Sequence, residues 1–453
     1  MLVQAVRRTC AALLLGAAAA ASVSAQSTTI LSPDEARLTA AQYLSAGRAA
    51  ASAEITNVLI KRDRTDAASL IIHAHSMRTL GRHDAAQAAA RDGWRVADTD
   101  MERFGAALAM AMALSSDGHK TRAQIWLRRA GQVAPNAQMK ARAARDYRYL
   151  RKINPWSVNF SFGITPSDNV YNAPRDNTVV LGGLIFTDPT AVPISGFEIR
   201  SDVRLRYNFA EQTTKRNFVS LLWSESHVVF SDSDAPAGVD EAEFSYRKIE
   251  TTFGRDFITG PGKPRQTVSL SFGQIWSGGS TLAHEVRLDW RQIYDRPQGR
   301  QFAWDASLGY SDRKDSDLRS GVTGTLGAQW SRPLQSGSRL GWQAEIGRTD
   351  TDSRALTHTR LPFGVQYTQA EPILGAVAQV GMAAELRRYD DPLYGPEARR
   401  DARGTLSASL LFVDFDTYGF APKLTLEASQ TDSNISRFET QNLGLQIGFQ
   451  SLF

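Results

Sequence analysis

Three things are scarce in this chain, and each scarcity excludes a class of protein. Cysteine is nearly absent, with Cys10 as the single example in 453 residues. Cys10 sits inside an N-terminal stretch that reads as a removable leader, so the mature chain is no disulfide scaffold. It is a poor lipidation site as well, because Arg8 and Thr9 precede it in place of a small apolar box. Long hydrophobic runs are also missing. No stretch approaches 18 consecutive apolar residues, so no transmembrane helix is expected. Net charge is small, at +5, and falls to +3 when Arg7 and Arg8 leave with the leader (50 basic against 47 acidic residues). That balance gives no electrostatic case for nucleic acid.

The leader itself is clear. Arg7 and Arg8 form a short basic region and Thr9 to Ala21 an apolar one. Val23-Ser24-Ala25 supplies the small-x-small pattern of a signal peptidase site, which predicts cleavage after Ala25 and a signal peptide over 1–25. The remaining composition, 42% hydrophobic, looks almost soluble. A β-barrel is the membrane structure compatible with such numbers, because every second residue of its strands faces a polar lumen.

The texture changes near Pro155. Residues 33–153 are rich in the helix formers Ala, Arg, Leu and Gln, interrupted only by Pro33 and Pro135. Similar segments recur around Gly47, Gly81 and Gly118, each between two amphipathic stretches of helical length. The spacings, 34 and 37 residues, match the tetratricopeptide period. An unrelated array of helical hairpins fits the degenerate consensus too. Either array leaves a concave surface suited to holding a partner.

From 155 to 453 the chain is rich in Ser, Thr, Gly and aromatic residues, with short segments of period two, and seven of the nine tryptophans lie here. About fourteen strands are predicted, over 156–164, 198–209, 216–230, 243–258, 265–277, 282–293, 300–311, 319–331, 338–349, 357–368, 374–388, 402–413, 422–430 and 440–453. Most are long enough for a tilted membrane strand. In the last one Leu443, Leu445, Ile447, Phe449 and Phe453 share one face. The fold class expected is therefore α + β multidomain, with tetratricopeptide-like helical repeats followed by an antiparallel transmembrane β-barrel.

Connection lengths support the barrel. The segments 165–197, 231–242, 312–318, 350–356 and 389–401 read as outer loops, and 259–264, 294–299 and 332–337 as short periplasmic turns. Trp290, Trp304, Trp330 and Trp342 all fall near the periplasmic ends of their strands, where an interfacial girdle is expected. Leu445, Ile447, Phe449 and a terminal Phe453 resemble the signal read by the barrel assembly machinery.

Catalytic chemistry is hard to find. His227, His284 and His358 belong to no nucleophile or metal motif. His73 and His75 are two apart on a helix and face different sides. Gly260 and Gly262 belong to a proline-rich turn, not a phosphate cradle. Asp232, Asp234, Asp240, Glu241 and Glu243 offer hard oxygens but fit no calcium loop. No enzyme, metal or cofactor is expected.

Two stretches carry a resemblance. Pro155-Trp156, Asp168-Asn169 and Asn172-Ala173 open the barrel segment. Arg400-Asp401, then Gly419-Phe420-Ala421-Pro422 and Ser433-Asn434, precede the last strand. Together with the domain order they resemble the surface lipoprotein assembly modulator (Slam) family. The resemblance implies an outer-membrane translocon of a Gram-negative cell. Periplasmic repeats would precede a fourteen-stranded barrel that delivers surface lipoproteins or related secreted proteins to the cell surface. Its partners would be outer-membrane lipid, the barrel assembly machinery and the cargo. Read physically, the marker residues suit structural tasks. Pro422 fits the first residue of a strand, and Asn169 and Asn434 fit tight loops with left-handed geometry. A polysaccharide-export or solute porin also pairs helical repeats with a barrel. The mixed face of Glu285, Arg287, Asp289 and Arg291 speaks against an anion pore but not against a neutral polymer. A scaffold with the barrel as mere anchor is a third reading.

Overall fold

A computed structural model of the protein describes residues 30–170, 172–175, 177–181, 184–188, 192–210, 214–231, 240–257, 260, 263–392 and 396–452. The leader with Ala25 and the terminal Phe453 lie outside the described residues.

Seven helices come first: α1 (Pro33–Ser45), α2 (Ala49–Arg62), α3 (Ala67–Thr79), α4 (His83–Val96), α5 (Asp100–Ser116), α6 (Lys120–Gln132) and α7 (Ala137–Ile153). Their ends are written in the sequence. Ser32 and Thr99 form capping boxes with Glu35 and Glu102, while Asp66 and Asn136 cap α3 and α7. Gly47, Gly81 and Gly118 take φ of 77°, 74° and 83°, a left-handed turn that glycine adopts without a Cβ penalty. After each, the next N–H returns to a carbonyl of the preceding helix, from Arg48 to Tyr43, Arg82 to Met77 and His119 to Leu114, at 2.8–2.9 Å. The recurring glycines thus turn three successive hairpins, and α7 follows as a seventh helix.

The array packs through small residues. α5 departs from the amphipathic expectation, because Ala106, Ala107, Ala109, Ala111 and Ala113 are all buried along with Phe104, Leu108, Met110 and Leu114. It lies at the centre, against α3, α4 and α6. Trp94 and Trp126 meet edge to face at 5.5 Å on this core. Between α2 and α3 the packing is polar. Ser76 bonds Ser52 at 2.9 Å, and Thr56 meets Nδ1 of His73 at 2.9 Å.

The strands follow: β1 (Trp156–Ser167), β2 (Thr178–Leu181), β3 (Leu184–Thr187), β4 (Gly196–Asn208), β5 (Lys215–Phe230), β6 (Tyr246–Phe257), β7 (Arg265–Ser277), β8 (Ser280–Arg296), β9 (Arg300–Arg313), β10 (Gly321–Pro333), β11 (Arg339–Thr351), β12 (His358–Thr368), β13 (Ala376–Tyr389), β14 (Arg400–Phe412), β15 (Phe420–Ser433) and β16 (Thr440–Ser451). β2 and β3 form a separate hairpin in the first long connection. The other fourteen close into one antiparallel barrel, with β1 between β16 and β4. Alternation gives it two faces. In register across β6 to β9, Phe253, Leu270, Leu288 and Leu308 project outward, each 38–57% exposed. One row further along, Ser269, Asp289, Ser307 and Thr325 face the lumen. An apolar belt around a polar interior is the pattern of a bilayer-spanning barrel.

The connections correct the expected contrast. At the end away from the helices, 168–195, 231–245 and 390–399 are long. Yet Gly278-Gly279 is a two-residue turn at that same end, with φ of 56° and 78° suited to a tight hairpin. The connections 314–320, 352–357 and 434–439 there are no longer than 258–264, 369–375 and 413–419 at the helix side. The alternation therefore rests on three loops. Pro422 is the third residue of β15, not its first. It lies opposite Phe449 in the ladder with β16 and one position before the ladder with β14, which begins at Leu411–Lys423.

Two outcomes test the helical array in the full chain. Leu114→Ala should cost about 2–5 kcal/mol by leaving a cavity, seen as earlier thermal loss of helical signal with the barrel's heat-dependent gel migration unchanged. The second concerns His75. Burial, then the positive charges of Arg78 and Arg142, push its imidazole down to about 4. Unfolded, it titrates near 6.5. Its contribution is thus complete above pH 6.5 and is lost as pH falls toward 4, because the unfolded chain takes up the proton first. Melting the array across that window should show this slope, and His75→Gln should flatten it.

Candidate functional site

The seam between β1 and β16, the first and last strands, differs from every other in the barrel. Ladders such as β10–β11 run the full length, from Gly321–Thr351 to Pro333–Arg339. β1 and β16 pair only at Gly163–Gly448, Ile164–Ile447 and Ser167–Gly444. Side chains hold the end away from the helices. Asp168 Oδ1 accepts the Leu443 N–H at 2.9 Å, and Asn442 Nδ2 donates to the Asn169 carbonyl at 2.6 Å. Asn169, 1% exposed, donates from Nδ2 to the carbonyls of Ala173 and Gln441 and accepts the Ala173 N–H. These bonds clasp the first long connection to β16 beyond the last ladder pair. Asn169 acts through its amide and not through left-handed backbone, which Asn172 adopts instead (φ 59°).

A second marker pair meets nearby. Asn434 accepts the Arg400 N–H at 2.8 Å and donates to the Ala398 carbonyl, again through its side chain. Ser433 donates to Asp401 at 2.8 Å, and Arg399 pairs with Asp401 at 2.7 Å. The segment 398–401 is thus tied to Ser433 and Asn434, which fixes the ends of β14 and β15 away from the helices.

Toward the helices the β1–β16 ladder stops short among the described residues. From Trp156 to Phe162, β1 pairs with β4 on one side and has no register partner in β16 on the other. A cavity of about 1000 Å³ lies beside this stretch, between β1, β16 and helices α6 and α7. Its lining includes Val158, Phe160 and Phe449 from the outward face and Asn159, Ser161 and Gln446 from the lumen face.

Helix α6 braces this end of the seam. On the β1 side, Asn154 Nδ2 donates to Thr121 and Gln124 at 3.0 and 3.2 Å. On the β16 side, Arg128 donates to the Tyr418 carbonyl at 2.9 Å and to Ser451 Oγ at 2.8 Å, with its guanidinium over the Phe420 ring. Gln132 accepts the Tyr418 N–H at 2.6 Å. Both backbone groups of Tyr418, a non-glycine residue at φ 51°, are therefore held by α6. Lys140 of α7 adds an ion pair to Asp416 at 2.5 Å.

The lumen is charged in one sector and neutral in another. Lys248, Glu250, Glu285, Arg287 and Asp289 form a chain of ion pairs on β6 and β8. Opposite signs cancel there, as the mixed face of β8 implied. Around β9 to β13 the wall presents Gln301, Gln329, Gln343, Gln366 and Gln379 to a space of about 470 Å³.

The remaining expected residues fall as follows. Leu445, Ile447 and Phe449 point outward on β16, and Phe453 lies outside the described residues. Pro155 and Trp156 start β1, where Trp156 packs on Tyr207 at 4.9 Å. Trp330 and Trp342 stack at 4.1 Å, and Trp304 meets Phe302 at 4.9 Å, all facing out on neighbouring strands. Tyr207, Phe209 and Phe302 extend this aromatic belt. His73 and His75 have separate surroundings, and among the described residues no group of side chains is arranged to hold a metal. Asp240 and Glu241 accept the backbone N–H groups of Ala242 and Phe230; Asp232, Asp234 and Gly262 lie outside the described residues.

No protein-family model matches the chain, and no curated protein matches it. Solved structures resemble its parts. High-pH OprB of Pseudomonas putida is 8% identical over 68% of this chain and 96% of its own, with a TM-score of 0.40. A loop-deletion mutant of OmpT, an outer membrane protein of Vibrio cholerae, is 6% identical over 65% and 99%, with a TM-score of 0.35. SycD, a type III secretion translocator chaperone of Yersinia enterocolitica, is 15% identical over 27% and 88%, with a TM-score of 0.24. The barrel thus resembles those of outer-membrane proteins in fold, and the likeness extends no further than that.

Arg128→Ala tests the brace. Protease cleavage at the Asn154-Pro155 junction in detergent should rise roughly tenfold, the equivalent of about 1.4 kcal/mol in the docking equilibrium, while barrel migration stays unchanged. Arg128→Lys, which keeps the charge and loses the planar fork, should recover only part.

Proposed function

We propose that this protein is an outer-membrane translocon that delivers surface lipoproteins, or related secreted proteins, from periplasm to cell surface. The observation that carries the reading is the helical array anchored by α6 to both sides of the short β1–β16 ladder. A solute pore needs no such coupling, whereas a polypeptide must be received, kept extended and passed to the wall or lumen. In this reading the leader is cleaved after Ala25, and residues 33–153 form a periplasmic tetratricopeptide-like domain whose concave face receives cargo. The barrel is inserted by the assembly machinery through the outward face of β16 and Phe453. The cancelled charges of the β8 sector suit a cargo of varied sequence, because they favour neither sign. No catalytic step is assigned.

One observation favours a second reading. Glutamine amides both donate and accept, so the wall of Gln329, Gln343 and Gln366 suits a neutral polysaccharide as well as a peptide backbone.

Deleting the gene and shaving intact cells with protease separates the two. Under the translocon reading, one or a few lipoproteins lose surface exposure by tenfold or more (about 1.4 kcal/mol per decade if read as an equilibrium) while their total abundance holds, and plasmid expression restores them. If every lipoprotein stays exposed while a secreted polymer or a solute permeability changes, the porin reading takes its place.

A further inference from the structure

Charge is shared unevenly along the helical array. Residues 33–116, which hold α1 to α5, carry ten Lys or Arg and ten Asp or Glu. Residues 120–153, which hold α6 and α7, carry ten Lys or Arg against Asp146 alone. Of those ten, Lys140 pairs with Asp416. Arg122, Arg129, Arg148 and Lys152 meet no carboxylate among the described residues. The first five helices therefore balance their own charge, and the last two do not.

These last two helices touch the barrel, and they do so from its lipid side. On β15 and β16 the lumen takes Lys423 and Gln450, so Phe420, Phe449 and Ser451 lie on the outward face. Arg128 of α6 stacks over Phe420 and bonds Ser451, reaching two positions of that face. Arg129 and Arg151 line the same cavity as the outward side chains Trp156, Val158 and Phe160 of β1. α7 runs along the rim. Lys140 near its start holds Asp416 ahead of β15, and Ile153 at its end is three residues from Trp156 on β1. The belt of Trp156, Tyr207 and Phe209 marks the level where hydrocarbon gives way to headgroups. At that level Ile125 and Tyr149, 51% and 64% exposed, stand among the cations. Exposed cations interspersed with apolar and aromatic side chains suit an anionic lipid surface. An acidic polypeptide would supply the same charge, but the place of this flank, outside the wall and at headgroup height, favours lipid.

We infer that the basic flank of α6 and α7, formed by Arg122, Arg129, Arg148, Arg151 and Lys152, is a binding surface for anionic phospholipid headgroups of the helix-side leaflet. The phosphates supply the counter-charge that these helices lack within the chain, and they hold the array against the bilayer beside β1 and β16. The site lies beyond the translocon reading and rests only on the barrel spanning a bilayer.

The test uses the full chain in lipid nanodiscs, with a fluorophore on Ala141→Cys, the single thiol once the leader is absent. Ala141 is exposed and shares a stripe of α7 with Arg148 and Lys152. Discs of phosphatidylcholine are compared with discs in which roughly three lipids in ten are phosphatidylglycerol. Both carry the same trace of a neutral lipid with a quencher on its headgroup. Quenching should rise at least about threefold with phosphatidylglycerol in about 0.1 M salt and fall back in about 1 M salt, where the screening length shrinks from about 10 to about 3 Å. A fluorophore on Val58→Cys of α2 should show no rise. Arg122→Gln, Arg148→Gln and Lys152→Gln together should remove the rise at Ala141→Cys, while Arg122→Lys with Arg148→Lys, which keeps the charge, should retain it. Helical signal and heat-dependent gel migration confirm that each variant is folded.

Equal quenching in the two discs overturns the inference, as does a rise that survives high salt or the glutamine variant. A rise of the same size at Val58→Cys overturns it too, because the attraction would then belong to the whole array. If soluble polyglutamate at equal charge abolishes the rise, the flank prefers an acidic polypeptide and lipid is not its occupant. None of these measurements uses cargo, so a failure here leaves the translocon reading untouched, and unchanged lipoprotein display leaves this site standing.

Discussion

Backbone hydrogen bonding in the absence of water governs this molecule. A sheet in hydrocarbon has no solvent to meet its edge groups, so the fourteen strands must close, and closure is completed between β1 and β16. β1 follows directly on α7, and β16 is paired along its length with β15. At the end away from the helices, closure is finished by side chains. Asp168, Asn169 and Asn442 supply amide and carboxylate groups where the ladder has run out. That solution is open to a segment near the headgroups, where loops and water also contribute. At the helix side the chain instead leaves the ladder incomplete and holds the strands with α6. The asymmetry comes from one seam having two different environments along its length.

The lumen wall follows from the same packing limits. Long charged side chains can lie along the wall only where the neighbouring strand offers no side chain. A Cβ at Gly254 would fall 2.2 Å from the Phe218 ring, and one at Gly347 would fall 2.9 Å from Nε of Arg360. Phe218 in turn carries the Arg206 guanidinium at 3.5 Å, and Arg206 pairs with Asp256. Glycines on one strand therefore set the rotamers of charges on the next. Arg206 thereby pairs laterally with Asp256 along the wall.

Much of this architecture was legible from the sequence, for identifiable reasons. Helical hairpins were visible because Gly47, Gly81 and Gly118 perform the same left-handed turn three times. Strands were visible because a barrel with lipid outside and polar lumen inside enforces period two on every segment. Register cannot be read that way, so the short β1–β16 ladder had no sequence signature. The brace was hidden as well: Arg128 is one of many arginines on α6 and α7, and its partners Tyr418 and Ser451 lie some 300 positions away. The hairpin β2–β3 sits in a loop whose alternation is too short to stand out. Loop length misled in part, because Gly278-Gly279 supplies a tight turn chemistry that is indifferent to which side of the membrane it faces. The marker residues Asp168, Asn169, Asp401, Ser433 and Asn434 were found through resemblance. Their task is to tie connections to strands, and only coordinates show that they meet in pairs.

The brace also explains why the helical array and the barrel belong in one chain. A domain tethered only at Asn154 would swing about that residue and leave the seam to close or fray. Anchoring the same helix to the turn before β15 and to the end of β16 fixes three points, which suffices to set both distance and angle. α6 meets this requirement with a polar helix whose residues one and two turns apart face the same side. Its own stability comes from the alanine-rich core of α5, where Ala123, Leu127 and Ala130 are buried. Any event on the helices that shifts α6 by a fraction of a turn must move the strands it holds. The hairpins and the seam are therefore mechanically one device, with the buried face of α6 belonging to the array and its exposed face to the barrel.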